Sequence, residues 1–596
     1  MVIYNPFTTT KVGDTYTRDP FVGNKIAPQY INAVGQKIAN LYPLPNRQGE
    51  GPALVNNFYA QGKSVVENDK VDWRVDWAQS EKHRLFVRFS QRVRQDGNNA
   101  CFICNGADPG YRTFNPGFQG TINDTVTPSP SWVINVLAGA SRWQEGQTSL
   151  AYGLITPGSL GLNPADYQAP VMPTISVDLF NGLGNNGVRK LTRYAHTLQG
   201  NVTKQVSSHT LKFGGNFDVS MINNFDEISG SYSFNRGITS CDPTTGGACQ
   251  VPSGNSKVTG SGLASLLVGV GGGSVQLRPD KAMSLHFFGA YLQDTWRATR
   301  RLTLDLGLRY ENQRPVTERY NRIASFDPNV TNPISSTVSS AFNRPLLGGI
   351  VYATPDNRGG WPADNKNFAP RIGAAFKVTD RLVTRAGFGV FYMPASAMIS
   401  YDDGMFIGFG TNTNWVSTQN GLGYIPTSTL SNVFPTGANQ PTGSQAGLVT
   451  QLGEGLSQIW PVAPHPTGYS AHFSFDVQYQ VATNSVLEVG YTGWRGRKMM
   501  YGEPLNANQL PTQYLKLGSD VLNKEVPNPF YNVITSPNSP LNGPTVQYWR
   551  LLVPYPQYSS LNYARSLPGA RANFDALNVK FNHTFNASFN WLSTYQ

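Results

Sequence analysis

Apolar and polar residues alternate along this chain with a period of two, again and again. In RLTLDLGLRYENQ, which begins at Arg301, one side carries Leu302, Leu304, Leu306, Leu308 and Tyr310, and the other Arg301, Thr303, Asp305, Gly307, Arg309 and Glu311. Successive side chains of a strand point to opposite faces, so this pattern predicts a β-strand with one apolar and one charged face. VDWRVDWAQ from Val71 opposes Trp73, Val75 and Trp77 to Asp72, Arg74 and Asp76. HRLFVRFSQRV from His83, HTLKFGGNFDVSM from His209 and AHFSFDVQYQV from Ala471 repeat it, with Arg88 and Asp476 on the polar sides.

The connections alternate as well. Short turns are expected near Ser80, at 128–131, and at Ser207, Thr299, Thr379, Thr483 and Asn586, whereas irregular segments fill 94–116, 144–191, 222–283, 314–366, 393–468 and 496–572. This gives about fourteen strands of roughly 10–13 residues, paired into about seven hairpins. Long structureless loops are unusual in a compact soluble domain. They are usual in an antiparallel transmembrane β-barrel, where turns are short on the periplasmic side and loops long on the extracellular side. A soluble sandwich with one wet face is the alternative, but it offers no reason for a strict short-long alternation.

Composition agrees with strands and turns. Charged residues make up 14% of the 596 and aromatic ones 12%, with 60 Gly and 41 Pro. No run of about 18 apolar residues exists, which excludes a helical span but not a strand-built one. The net charge of +11 has no long Lys/Arg cluster behind it, so no nucleic-acid partner is expected; it suits a surface near anionic lipopolysaccharide and outer-membrane lipid. Trp73, Trp77, Trp132, Trp296, Tyr310 and Tyr392, near expected strand ends, fit the aromatic girdles of such barrels.

Two hairpins, FFGAYLQDTWRATRRLTLDLGLRYE (287–311) and NFAPRIGAAFKVTDRLVTRAGFGVFY (367–392), resemble barrel hairpins of TonB-dependent outer-membrane receptors. The resemblance is strongest to the Oar-like members, which carry a carboxypeptidase-regulatory-like domain. The segments at 18–46, 69–90 and 209–220 are similar to further parts of that subfamily, in the same order. The resemblance implies a barrel of about 22 strands around an N-terminal plug, and transport energised through the TonB system. On this reading residues 1–67 are an extracellular loop segment with a short helix near 29–41. Residues 68–596 are an incomplete barrel of about fourteen of those strands, with signal, plug and final strands lying outside it.

Candidate chemistry is sparse. Arg74, Arg88, Arg309, Glu311, Arg371, Arg385 and Asp476 project to the polar faces, where they would face the lumen or the plug, as a ladder of charges or as part of a substrate path. Cys101 with Cys104, and Cys241 with Cys249, fall in expected extracellular loops, where an oxidising compartment permits two local disulfides. A redox CxxC, a four-cysteine zinc site and free thiols are the other readings. VGVGGGSV (268–275) lacks the Gly-Lys-Ser/Thr ending of a phosphate loop and reads as a flexible turn after a short helix. The seven histidines form no HExxH motif, and no catalytic, cofactor-binding or metal-ligating residues are assigned.

The function expected is outer-membrane transport of a bulky ligand such as a peptide, an oligosaccharide or a metal chelate. A surface protein for adhesion that moves nothing, and a barrel enzyme with loop-borne catalytic residues, are the alternatives.

Overall fold

The computed structural model describes the chain apart from residues 1, 52–53, 100–104, 186, 242–258, 394–402, 537–538 and 587. Its backbone is dominated by one antiparallel sheet whose main path holds β1 (Lys63–Ser80), β2 (His83–Asn99), β3 (Tyr111–Val126), β4 (Trp132–Ser149), β5 (Gly187–Val206), β6 (His209–Ile228) and β7 (Lys281–Arg297). It continues through β8 (Leu302–Gln313), β9 (Asp364–Lys377), β10 (Leu382–Tyr392), β11 (Tyr469–Ala482), β12 (Ser485–Met500), β13 (Pro568–Asn586) and β14 (Phe589–Tyr595). Every strand pairs with its sequence neighbour along this path, and a two-residue strand, Thr317–Glu318, pairs with β7 beside it. The path ends at β1 and β14. Among the described residues no helix is long and apolar enough to cross a membrane.

The seven hairpins and their tight turns fall where the alternation places them, but the strands are longer than expected. β5 and β6 each run for 20 residues. At about 3.3 Å per residue and a tilt near 45°, such strands rise well above an apolar band about 25 Å tall. Ladder hydrogen bonds need no apolar side chains, so pairing continues where the alternation fades. The segment expected to be irregular over 94–116 is therefore mostly strand on both flanks.

The long connections differ from the expectation in kind. They fold into small sheets with their own cores. Thr174–Val177, Ser231–Phe234, Gly272–Leu277 and Thr411–Val416, drawn from three separate connections, make a four-stranded sheet. Its buried Ile175, Tyr232, Phe234 and Trp415 pack together with Val34 and Ile38 of helix α1 (Ala33–Ala39). The Asn32 side chain caps α1 by accepting from the Val34 and Gly35 amides. A second core gathers Phe326, Ile350, Leu456, Tyr558 and Leu561. The glycine-rich 268–275 stretch, expected to be a flexible turn, is partly strand: a Cβ on Gly273 would lie 2.3 Å from the Ser231 carbonyl oxygen. Glycine there is a condition of close strand approach rather than of looseness.

Candidate functional site

Register assigns each strand residue to one of two faces. Val75, Val87, Ile122, Ala138, Leu198, Phe217 and Phe288 form one row across seven strands. The adjacent row is Arg74, Arg88, Thr121, Gly139, Thr197, Asp218 and Phe287. In the first row Val75, Ile122, Leu198, Phe217 and Phe288 are exposed. The second faces inward: Leu191, Ile222, Met283 and Leu285 on that face pack against Met405, Phe406 and Trp460 of the connection between β10 and β11. Connections thus fold down over the inner face at the end remote from the tight turns.

At the tight-turn end the outer face carries an aromatic and basic belt. The Lys204 ammonium lies 4.4 Å from the Trp132 ring centroid, and the His209 ring stacks on Trp296 at 5.4 Å while bonding Asp294 at 2.7 Å. Amphipathic rings and snorkelling lysines belong at a membrane-water interface.

The structure places all seven candidate residues on the inner face, in three separate groups rather than one centre. Arg74 donates to both Asp76 oxygens, at 2.8 and 2.6 Å, and lies over the Phe86 ring. It stands directly opposite Arg88, and Asp72, 3.7 Å from Arg88 and 2.8 Å from Lys70, offsets that like-charge pairing. On β8, Arg309 donates to Glu311 at 2.6 Å and across the sheet to Asn216 at 2.9 Å. Asn216 in turn donates to Asp218, which accepts from Thr197. The third group spans β9 to β11: Arg371 lies 4.7 Å from the Phe391 ring centroid, Arg385 donates to Gln478 at 2.9 Å, and Asp476 stands opposite Arg385.

Two features of this wall are invisible in a strand read singly. Glycines on neighbouring strands make room for the charges. A Cβ on Gly289 would lie 2.4 Å from an Arg309 guanidinium nitrogen, and one on Gly490 would lie 2.1 Å from the Asp476 carboxylate. The inner wall is also hollowed. One cavity of about 580 Å³ is bordered by Thr121, Ser141, Thr197, Asp218, Phe287 and Glu311, and another of about 440 Å³ by Gln293, Asp305, Arg371, Phe391, His472 and Thr492. The alternation puts Asn216, Asp218 and His472 on polar faces, but a single strand does not show which charge each adjoins across the sheet, and nothing in it singles out Phe391.

Cys241 is buried and disulfide-bonded. Cys101, Cys104 and Cys249 lie outside the described residues. Among the described residues no group of three or more His, Cys, Asp or Glu side chains could hold a metal ion.

An antiparallel sheet with an apolar, belted outer face and a polar, charged inner face is the wall of an outer-membrane barrel. The chain belongs to the family described as the outer membrane beta barrel domain, which matches residues 1–596, and this places it in the bacterial outer membrane. Among solved structures it is similar to the outer membrane transporter YddB from Escherichia coli, at 9% identity and a TM-score of 0.44, over 90% of this chain and 47% of that one. The alcaligin outer membrane receptor FauA from Bordetella pertussis matches at 8% identity and a TM-score of 0.36, over 89% of this chain and 53% of that one. The siderophore receptor PirA from Acinetobacter baumannii matches at 9% and 0.38, over 90% and 53%. The chain spans about half the length of these structures. No curated protein matches it.

Proposed function

We propose that this chain forms part of the wall and loop cap of a TonB-dependent transporter of the Oar-like subfamily, moving a bulky ligand across the outer membrane. The observation that carries the reading is the inner face. It bears Arg74, Arg88, Arg309, Glu311, Arg371, Arg385 and Asp476, and three connections close over it through Ile323, through Met405, Phe406 and Trp460, and through Leu567. A covered polar lumen is what a gated passage requires, and an adhesin has no need of one. In this reading residues 1–67 are an extracellular segment held to the cap by α1, a plug contacts the inner charges, and the TonB system acts through that plug. Lipid and lipopolysaccharide surround the outer face.

The test is uptake. A strain lacking the full-length gene should lose growth on, or accumulation of, a specific peptide, oligosaccharide or metal chelate. Complementation should fail when the TonB system is deleted. Unchanged uptake of all three ligand classes in the deletion strain would sink the transport reading and favour a surface protein.

A further inference from the structure

A third cavity, of about 390 Å³, lies where the inner wall meets the loop sheet, and its chemistry differs from that of the lumen below. The wall contributes one row, Gln147, Arg189 and Asp226, at the ends of β4, β5 and β6 remote from the tight turns. The loop sheet contributes Ser274, Gln276 and Asn412, the last two paired in register, and Arg278 follows. Ile228 is the one large apolar side chain in the lining.

The polar groups are held unequally. Arg278 is fixed: its Nη1 bonds Asp226 at 2.6 Å, its Nε donates to Gln276 at 3.0 Å, and its backbone is clasped by the Gln168 amide at 2.7 and 2.9 Å. Arg189 also stands opposite Asp226 in the ladder, but the ion pair there is with Arg278. The Arg189 Nε is buried and has no hydrogen-bond partner among the described residues. A buried guanidinium donor without an acceptor is uncommon, and its natural complement is a carboxylate, which matches the planar fork with two oxygens.

We propose that this cavity binds a hydroxylated carboxylate, the acidic end of an oligosaccharide, with the carboxylate on Arg189 and hydroxyls on Gln147, Ser274 and Asn412. Two guanidinium groups and one carboxylate leave the site with a single net positive charge, which suits one carboxylate better than a phosphate dianion. A lining mostly of amides, hydroxyls and charged groups, with Ile228 its one large apolar side chain, satisfies sugar hydroxyls and offers a peptide side chain little to bury against. The size falls in the usual range of small-molecule sites, about 300–1,000 Å³. The cavity is at the extracellular entrance, where a transported ligand arrives first, so the proposal rests on the transport reading for its purpose.

The experiment is calorimetric titration of the full-length protein in detergent micelles, which needs no TonB and no energy source. The probes are tri-galacturonate, its methyl ester, and a neutral maltotriose. Tri-galacturonate should bind, and both esterification and Arg189→Gln should weaken it by at least about tenfold. Asn412→Asp, at an exposed position that tolerates a charge, should weaken the acid more than the ester, because only the acid meets charge repulsion, and it serves if Arg189→Gln fails to fold. No binding of tri-galacturonate, equal binding of acid and ester, or unaltered affinity in both variants overturns the proposal. Binding with no uptake in cells instead overturns transport and leaves the site standing.

Discussion

The Arg18 guanidinium donates to the Gly423 carbonyl oxygen at 2.7 Å although 405 positions separate the two residues. The same side chain reaches the carbonyls of Tyr424, Gly237, Ile238 and Ser240 at 2.7–3.1 Å and the Thr9 hydroxyl at 2.7 Å. One buried cation therefore ties the N-terminal segment to two separate connections of the cap. Hydrogen bonds to a charged group contribute about 1.5–3 kcal/mol each at most, and they are not additive. Arg18→Met, which keeps the stem, should loosen the cap locally by several kcal/mol while leaving the barrel ladder intact. Limited proteolysis should then cut near 237–240 and near 423–424, with heat-modifiable gel mobility unchanged. A cleavage pattern identical to wild type would show that the clamp is dispensable.

The pairing of charge with glycine across the sheet gives a second prediction. Gly490→Ala would push its Cβ into the Asp476 carboxylate, because the two residues are register partners. Overpacking of this kind costs about 1–3 kcal/mol, here near the lower end since the carboxylate is the far end of a side chain. Gly200→Ala is the control: it meets open space, and replacing a strand glycine should be neutral or mildly stabilising. Urea unfolding in lipid vesicles should order the variants accordingly. Asp476→Ala should cancel most of the Gly490→Ala penalty in a double-mutant cycle.

What could be read from the chain and what could not divide along physical lines. The hairpins were legible because a sheet between lipid and lumen forces period two on every strand, as Leu302 to Tyr310 show, and because tight turns punctuate it. The upper parts of β5 and β6 were not, since pairing continues there without apolar demand. The cap was illegible for another reason. Tyr232 and Phe234 share one core with Trp415 but come from a different connection, and nothing local marks the two connections as neighbours. The inner-face charges could be named singly, but their partners, such as Asn216 for Arg309 and Gly490 for Asp476, are facts of register.

The cysteines make a third prediction. Cys241 is buried and oxidised, in a segment pinned nearby by the Arg18 bonds to Gly237, Ile238 and Ser240. Peptide mapping without reduction should recover Cys241 in a disulfide-linked peptide, and the local pairing expected from sequence places Cys249 at its other end. Maleimide should leave Cys241 unlabelled until reductant is added. Labelling of Cys241 in the unreduced protein would overturn the bridge.

The last prediction concerns acid. His465 sits edge-on to Trp361 and Trp460, ring centroids 5.1 and 5.2 Å away, while those two indoles stack on each other at 4.5 Å. Its Nε2 bonds the Pro461 carbonyl at 3.1 Å, and burial holds its pKa down at about 4 against an ordinary value of 6.5. Between those values the unfolded chain binds a proton that the folded cap refuses. Stability contributed by the neutral imidazole is therefore complete above pH 6.5 and is lost as pH falls toward 4, by at most about 3 kcal/mol. His465→Phe keeps a ring packed against the stacked indole pair but cannot titrate. Urea unfolding followed by tryptophan fluorescence at pH 7.0 and 4.5 should show a smaller acid loss in the variant than in wild type. Equal losses would mean that other groups govern the acid response and that His465 is protonated without disturbing the cap.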